Sequence, residues 1–296
     1  MSWEDTFKSW GSPPGDTEKQ KMENAETAIK KAVKANEKLS AMKVSVIRQG
    51  SYRSRTNVRQ NSDVDMCVCL NSTFFANYPA GKTREDYYNS EGSISFQDFK
   101  NLVHVALGDY FGYENITPGN KAFDIHSNSY RVDADVLPAL GYRLYVGEGS
   151  EDYLQPTGVT FNANGKRIVN WPEQTYKNGN EKQDNTGERY KKMVRIVKKL
   201  RDKMQVENVA EANDIGSFLI ESLVWNVPNE GFNHDTYTDD VRYVVAHCFN
   251  ITLENGSYAS LYEVNKLKKL FGSHQPWTRE RTHAFFSKAW DYLGFK

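Results

Sequence analysis

QGSYRSRT at residues 49–56, followed by SDVDM at residues 62–66, is the stretch that decides the fold. Glycine lets the backbone turn tightly, and the N–H groups that open the next helix, with the Ser51 hydroxyl, can cradle a phosphate chain. Asp63 and Asp65 are two apart in a predicted strand, so their carboxylates project from one face, separated by roughly 6.5–7 Å. Two like charges so placed require a cation. The stretch therefore predicts a phosphate seat beside a metal site.

A third carboxylate is predicted from RVDADVLP at residues 131–138. This run alternates as a strand, so Asp133 and Asp135 share a face, and periodicity alone leaves both as candidate ligands. Magnesium prefers hard oxygen ligands and keeps positions open for substrate phosphates. Two such ions about 4 Å apart can bind the attacking and leaving oxygens of an in-line phosphoryl transfer. We therefore expect two Mg²⁺ ions, with Mn²⁺ as an alternative.

Composition excludes several classes of protein. The 38 basic and 38 acidic residues give no global field for holding duplex nucleic acid by counterion release. The three cysteines, Cys67, Cys69 and Cys248, lack disulfide or zinc spacing and are expected to be small buried residues. We find no secretory signal and no long apolar run, so we expect a cytoplasmic protein with no membrane partner.

Apolar periodicity in the first half predicts an α/β core. Capping-box spacing of Thr17 and Gln20 predicts the start of a long spine helix that ends near Met42. Strands are predicted at residues 43–49, 64–70 and 130–137, the last ending at Pro138, with a helix at 96–112. A hairpin is predicted around Gly158 and Asn164-Gly165.

The second half is predicted to be mostly helical. A polar loop is expected at 176–186, and apolar stripes at helical spacing follow at residues 188–204, 215–225, 241–249 and 258–271. The expected domains are a core at 1–182 that carries the predicted metal site, with a mixed sheet and the spine helix, and a helical lobe at 183–296 packed against it.

These motifs together resemble a known family. The glycine-serine turn, the Asp-x-Asp pair and the DVLP strand resemble polymerase-β-type nucleotidyltransferases, specifically the branch of oligoadenylate synthases and bacterial CD-NTases (cyclic GMP-AMP synthase/DncV-like). Further landmarks of that branch follow in the expected order: NWP at 170–172, YKN at 176–178, VRIVKKLR at 194–201, SFLIE at 217–221 and WNVP at 225–228. The resemblance covers roughly residues 10–230, and Asn170 with WNVP is most similar to clade E.

The resemblance implies roles for individual residues. It makes Asp135 the third metal ligand beside Asp63 and Asp65, and makes Asp133 an outer or substrate-contact residue. Nucleotide-binding candidates are Gln49, Gly50, Ser51, Asn170, Lys198 and Ser217, with Lys198 expected on donor phosphates. Arg55 stands where the family pattern often has a second glycine, so that part of the loop is expected to differ in backbone freedom.

The resemblance also implies the reaction. We expect two ribonucleoside triphosphates, with UTP and ATP favoured, to be condensed into a cyclic dinucleotide that a separate antiphage effector receives. The Asn170 carboxamide, a donor beside an acceptor, can match O4 and N3–H of uracil, although asparagine is also common as a turn cap. The alternatives are a nucleotidyltransferase for another acceptor (an RNA end, an antibiotic or a protein) and a non-enzymatic nucleotide-binding module.

Overall fold

The computed structural model describes residues 2–59 and 63–296. The helices are α1 (Trp3–Trp10), α2 (Asp16–Ala35), α3 (Glu37–Ser40), α4 (Gly50–Ser54), α5 (Phe96–Phe111), α6 (Pro172–Asn185), α7 (Tyr190–Val206), α8 (Ser217–Asn226), α9 (Tyr237–Ile251) and α10 (Arg279–Leu293). The strands are β1 (Val44–Arg48), β2 (Val64–Asn77), β3 (Ile116–Pro118), β4 (Phe123–Ile125), β5 (Ala134–Leu144), β6 (Gly158–Ala163) and β7 (Lys166–Asn170).

The chain forms two compact units. The sheet unit comprises the described residues of 15–53 and 62–173, and the helical unit those of 1–14, 54–61 and 174–296. Both units are therefore built from separate stretches of the chain. The domain ranges predicted from the sequence, 1–182 and 183–296, remain a prediction. None of the described helices is both long and apolar enough to cross a membrane.

A mixed sheet forms the centre of the sheet unit, with strand order β1-β2-β5-β4-β3 and β6 pairing with both β5 and β7. Strand β2 runs parallel to β5 and antiparallel to β1. Met66, Val68 and Leu70 on one face of β2 pack with α2 and α5 residues, while Cys67 and Cys69 on the other face pack with β5 and β6 residues. Both faces of this central strand are buried, which explains its continuous apolar run.

The helical unit has one apolar core. The buried face of α7 packs with α1, α8, α9 and α10, and Phe7 from α1 is fully buried among them. The stripe predicted at residues 188–204 is thereby confirmed as a core-facing helix. The hairpin is confirmed too, since Asn164 and Gly165 both have positive φ, 51° and 71°, as a tight two-residue turn requires.

The predicted spine helix is wrong at both ends. The structure caps α2 with Gly15, which makes no side-chain bond, rather than with the Thr17–Gln20 capping box. The helix ends at Ala35 because Asn36 is extended and uses its side chain to cap α3, accepting a hydrogen bond from Leu39 N at 3.1 Å. Such competition between side chain and backbone is typical of asparagine.

The predicted end of the strand at Pro138 is also wrong, since β5 continues to Leu144. On one side of β5, residues 134–136 pair with β4 and residues 140–142 pair with β6. Pro138 lies in the gap between these ladders, so its missing N–H breaks no pairing on that side.

Two predictions about the C-terminal half are wrong. The expected loop at 176–186 lies mostly in α6, which starts at Pro172, a favoured first position, and is held by a hydrogen bond from Asn178 to the Val264 carbonyl at 2.7 Å. The expected helix at 258–271 is largely irregular. There, the Asn265 side chain accepts hydrogen bonds from the N–H groups of residues 267 and 268 and forms a turn instead.

Candidate active site

Three neighbouring strands place three aspartates in one row. Asp65 on β2 is the direct partner of Asp135 on β5, and Asp135 is the direct partner of Asp124 on β4. Neighbouring strands lie about 4.8 Å apart, so the three carboxylates share a small area. Asp63 immediately precedes β2. Asp124 was not predicted, although its position between the buried Phe123 and Ile125 marks it as the polar residue of a strand.

The electrostatics of this row show that its charges repel. Burial raises the pKa of Asp135 to about 7, and a hydrogen bond with Asp124 and the charges of Asp124, Asp65 and Asp63 act in the same direction. Burial also raises the pKa of Asp63, helped by the charges of Asp133 and Asp124. Burial and the neighbouring carboxyl groups thus make the ionised form of Asp135 unfavourable. A bound cation would stabilise that ionised form.

This donor set fits a divalent metal. All the groups are carboxylate oxygens, the ligands that Mg²⁺ and Mn²⁺ accept. In this conformation, no three His, Cys, Asp or Glu side chains of the described residues converge closely enough to hold an ion together. The Asp135 carboxyl bonds instead with Asp124. Metal ligands bind in their deprotonated form, so an ion at this site would displace the proton that Asp135 holds.

Asp133 is placed differently from Asp135. Its carboxylate is exposed and accepts a hydrogen bond from the Ser127 N–H at 2.6 Å, while its carbonyl accepts one from Val64 N. It therefore fixes the loop before β5. This arrangement favours Asp135 as the ligand, the choice that alternation alone left open.

Gly50 makes room for the Asp65 carboxylate. Its φ is +55°, and a Cβ at this position would overlap the Asp65 carboxyl group. Gln49, buried beside it, donates its N–H to the Asp65 carbonyl at 2.8 Å, and Ser51 follows in α4. The structure thus brings the predicted phosphate seat directly against the predicted metal ligand.

Gly50→Ala is therefore expected to reduce product formation by at least about 100-fold, because displacing an active-site group by 1 Å has effects of that size. The left-handed φ should add about 1 kcal/mol of destabilisation. Steady-state assays and thermal melts measure the two effects. The control is Gly165→Ala, whose φ of +71° imposes similar strain while its Cβ meets nothing within 4 Å. Equal activity of the two variants would refute a specific role for Gly50.

A buried acidic residue holds the two residues that flank the predicted phosphate seat. Glu26 on α2 accepts hydrogen bonds from Arg48 Nε and Tyr52 Oη, both at 2.8 Å, and from Lys30 at 2.7 Å. Burial works to raise the pKa of Glu26, but these bonds outweigh it and the pKa is lowered. The spine helix is thereby tied to the residues on both sides of the Gln49–Ser51 turn. Apolar periodicity gives no signal for this contact, because its partners lie in other elements.

Asn170 lies at the end of β7 and is half-buried. Among the described residues, its carboxamide has no hydrogen-bond partner, so no capping bond is formed there. Arg53, which follows the phosphate seat, donates to both oxygens of Glu173, at 3.0 and 2.8 Å, three residues after Asn170. This ion pair links two predicted nucleotide-binding segments that are 120 residues apart.

The other two predicted nucleotide-binding residues belong to the helical unit. Lys198 on α7 is 3% exposed and donates to the carbonyl and hydroxyl of Thr56, 3.8 Å from Glu221. Ser217 opens α8, is exposed, and accepts a hydrogen bond from Arg201 at 3.2 Å. Ser217 is therefore open to a ligand, whereas Lys198 would have to exchange its protein contacts for phosphate.

Arg55 has a backbone conformation that favours glycine. Its φ is 56°, in the left-handed region, and its carbonyl accepts a hydrogen bond from the buried Arg195 at 2.8 Å. Arg55 therefore occupies a backbone conformation that glycine adopts at lower cost. Holding a non-glycine residue there costs about 1–2 kcal/mol, which the surrounding contacts must offset.

A mixed sheet with a row of aspartates beside a glycine-serine turn, together with a helical C-terminal unit, defines a polymerase-β-type nucleotidyltransferase. Residues 177–294 match the cGAS/DncV-like nucleotidyltransferase C-terminal helical domain. The chain is 40% identical to the cyclic dipyrimidine nucleotide synthase CdnE of Legionella pneumophila, covering 99% of this chain and 98% of that protein. It is 33% identical to the cyclic dipurine nucleotide synthase of Elizabethkingia meningoseptica, covering 97% of each.

A solved structure agrees with these similarities. The CdnE c-UMP-AMP synthase of Rhodothermus marinus, solved with Apcpp and Upnpp, has a TM-score of 0.85 at 29% identity, covering 98% of this chain and 96% of that one. The chain therefore belongs to the CdnE family of cGAS/DncV-like nucleotidyltransferases. The family and fold class predicted from the sequence are confirmed.

Proposed function

We propose that this protein uses divalent metal to condense two ribonucleoside triphosphates into a cyclic dinucleotide that contains a pyrimidine. The observation that carries this is the pairing of Asp65 with Asp135 on adjacent strands, with Gly50 packed against the Asp65 carboxylate. The two relatives described above are cyclic nucleotide synthases, which supports the reaction, and the relative at 40% identity is a dipyrimidine synthase. We further propose cytoplasmic synthesis and delivery of the product to a separate antiphage effector.

Each residue of the site has a task in this mechanism. Asp63, Asp65 and Asp135 would hold Mg²⁺, which when bound neutralises charge on the reacting phosphate. The Gln49–Ser51 turn would seat the donor triphosphate through its backbone N–H groups and the Ser51 hydroxyl. The Asp135 carboxylate is suited to orient the acceptor ribose hydroxyl. That hydroxyl attacks the α-phosphorus, pyrophosphate leaves, and a second transfer closes the ring.

The test is direct. The purified protein is incubated with all four ribonucleoside triphosphates and Mg²⁺ or Mn²⁺, and the products are identified by mass spectrometry. A cyclic dinucleotide with a uracil or cytosine base supports the proposal. A nucleotide attached to an added RNA, aminoglycoside or protein would establish a different acceptor. Complete absence of transfer would indicate a non-enzymatic nucleotide-binding module.

The choice of base is predicted to depend on Asn170. Asn170→Ser is expected to shift incorporation from uridine toward purines by at least about tenfold with total turnover retained, because unpaired buried polar groups cost about 1–3 kcal/mol each. Competition between labelled UTP and ATP measures the shift. Asn162→Ser, an exposed asparagine on the neighbouring strand β6, is the matched control. A wild type that uses only purines, or an unchanged preference in Asn170→Ser, would refute the assignment.

A further inference from the structure

The sheet unit contains a cavity separate from the row of aspartates. It measures about 310 Å³ and lies between the C-terminal end of α5 and the loop before β5. This volume is at the lower end of the range for small-molecule sites. Three aromatic residues line it, Tyr110, Phe111 and Tyr130, and Arg131 adjoins them.

Arg131, at the edge of this cavity, has one side-chain N–H group without a hydrogen-bond acceptor among the described residues. Its Nε is buried and has no hydrogen-bond partner among the described residues. Its guanidinium carbon lies 4.9 Å from the centre of the Phe111 ring, a cation–π distance. Because Nε itself is covered, a ligand in the cavity would meet the terminal nitrogens of the guanidinium instead, and an anion there would be held by charge-assisted hydrogen bonds.

The loop that carries Arg131 is well fixed. The Asn128 side-chain oxygen accepts hydrogen bonds from the N–H groups of Tyr130 and Arg131, both at 2.9 Å, and Asn128 N donates to the Arg131 carbonyl at 3.0 Å. The Tyr130 carbonyl accepts a further bond from Asn24 on the spine helix at 2.8 Å. The guanidinium is thus presented on a prearranged turn, which reduces the entropy lost when a ligand binds.

The aromatic residues provide a surface for a planar ring. Tyr130 is 62% exposed and Tyr110 is 44% exposed, and both line the same cavity. Asp133 is an acidic residue whose charge acts on Arg131, and its carboxylate accepts a hydrogen bond from the Ser127 N–H. The cavity therefore combines exposed ring faces with a cation whose neighbouring carboxylate is engaged elsewhere.

We propose that this cavity binds a small aromatic anion, a planar ring that carries a phosphate or carboxylate group. The anion accepts hydrogen bonds from the Arg131 guanidinium, and the ring stacks against Tyr130, the more exposed of the two tyrosines. This inference does not rest on the proposed function, because it uses none of the residues assigned to nucleotide transfer.

Phenyl phosphate is the probe, with inorganic phosphate and phenol as its two halves. Binding is measured by calorimetry and ligand-observed NMR in EDTA, on the Asp63→Asn/Asp65→Asn protein, so that metal-bound phosphate at the candidate active site does not contribute. Phenyl phosphate is expected to bind at least about tenfold more tightly than either half. Arg131→Gln should weaken its binding by about tenfold or more, the effect of losing a charged hydrogen bond.

Two further variants make the test decisive. Tyr130→Ala should weaken phenyl phosphate binding and leave phosphate binding unchanged. Arg167→Gln removes another ring-stacked arginine, 3.5 Å from the Phe75 ring centre and outside this cavity, and should change neither. The proposal is overturned by no binding to the parent protein, by equal affinity for phenyl phosphate and phosphate, or by unaltered binding in Arg131→Gln. Should Arg131→Gln not fold, unaltered phenyl phosphate binding in Tyr130→Ala overturns it.

Discussion

Replacing Asp63 and Asp65 together by asparagine is expected to reduce product formation by at least about a thousandfold, because the metal site loses charge stabilisation of several kcal/mol. The fold should persist. Burial and the charges of Asp133 and Asp124 raise the pKa of Asp63, so its ionised form is unfavourable in the metal-free protein. Removing negative charge there should leave the melting temperature in EDTA unchanged or higher.

Product mass spectrometry and thermal melts test both halves of this prediction. Asp235→Asn/Asp291→Asn is the matched control, because it removes the same charge from two exposed positions of the helical unit. The control should synthesise product at the wild-type rate. Wild-type synthesis by the Asp63/Asp65 variant would refute the metal assignment, and a lower melting temperature in EDTA would show that these carboxylates stabilise the fold.

The pattern of residues around Asp65 predicted the central part of the fold well. A short apolar run after Asp-x-Asp is typical of a buried strand, and the second run, at 134–137, has the same character; the structure pairs the two strands in parallel. Alternation could not distinguish Asp133 from Asp135. The distinction depends on a hydrogen bond to Ser127 N, which belongs to a loop and has no periodic signal.

Contacts between distant segments were not predictable from periodicity. Glu26 is an acidic residue of α2, yet it is only 5% exposed, because Arg48 from β1 and Tyr52 from α4 bond to it. The pairing of Arg53 with Glu173 spans 120 residues. Helix α6 is polar along most of its length, and tertiary hydrogen bonds such as that of Asn178 outweigh its weak local preference.

Asp135→Asn is expected to change activity and stability in opposite directions. Loss of a metal ligand should reduce product formation by at least about a thousandfold, whereas Asp133→Asn should cost about 10–100-fold, as for residues that support ligands. Asparagine at 133 keeps an oxygen that can accept the Ser127 N–H, so this variant should retain wild-type stability and serve as the matched control.

The stability of Asp135→Asn should depend on pH in a defined sense. In the metal-free protein, the pKa of Asp135 is raised to about 7, first by burial and then by Asp124. A raised carboxyl pKa favours folding below the unfolded value, about 3.9, and this contribution is lost as the pH rises through about 7. In EDTA, the wild type should therefore lose stability relative to Asp135→Asn between pH 6 and pH 8. At pH 8 the variant should be more stable by about 1–2 kcal/mol after solvent screening, or about 2–4 °C.

Melts of the three proteins across this range provide the measurement. A constant difference between wild type and Asp135→Asn would refute the raised pKa of Asp135. A greater loss of activity in Asp133→Asn would show that Asp133, and not Asp135, is the metal ligand.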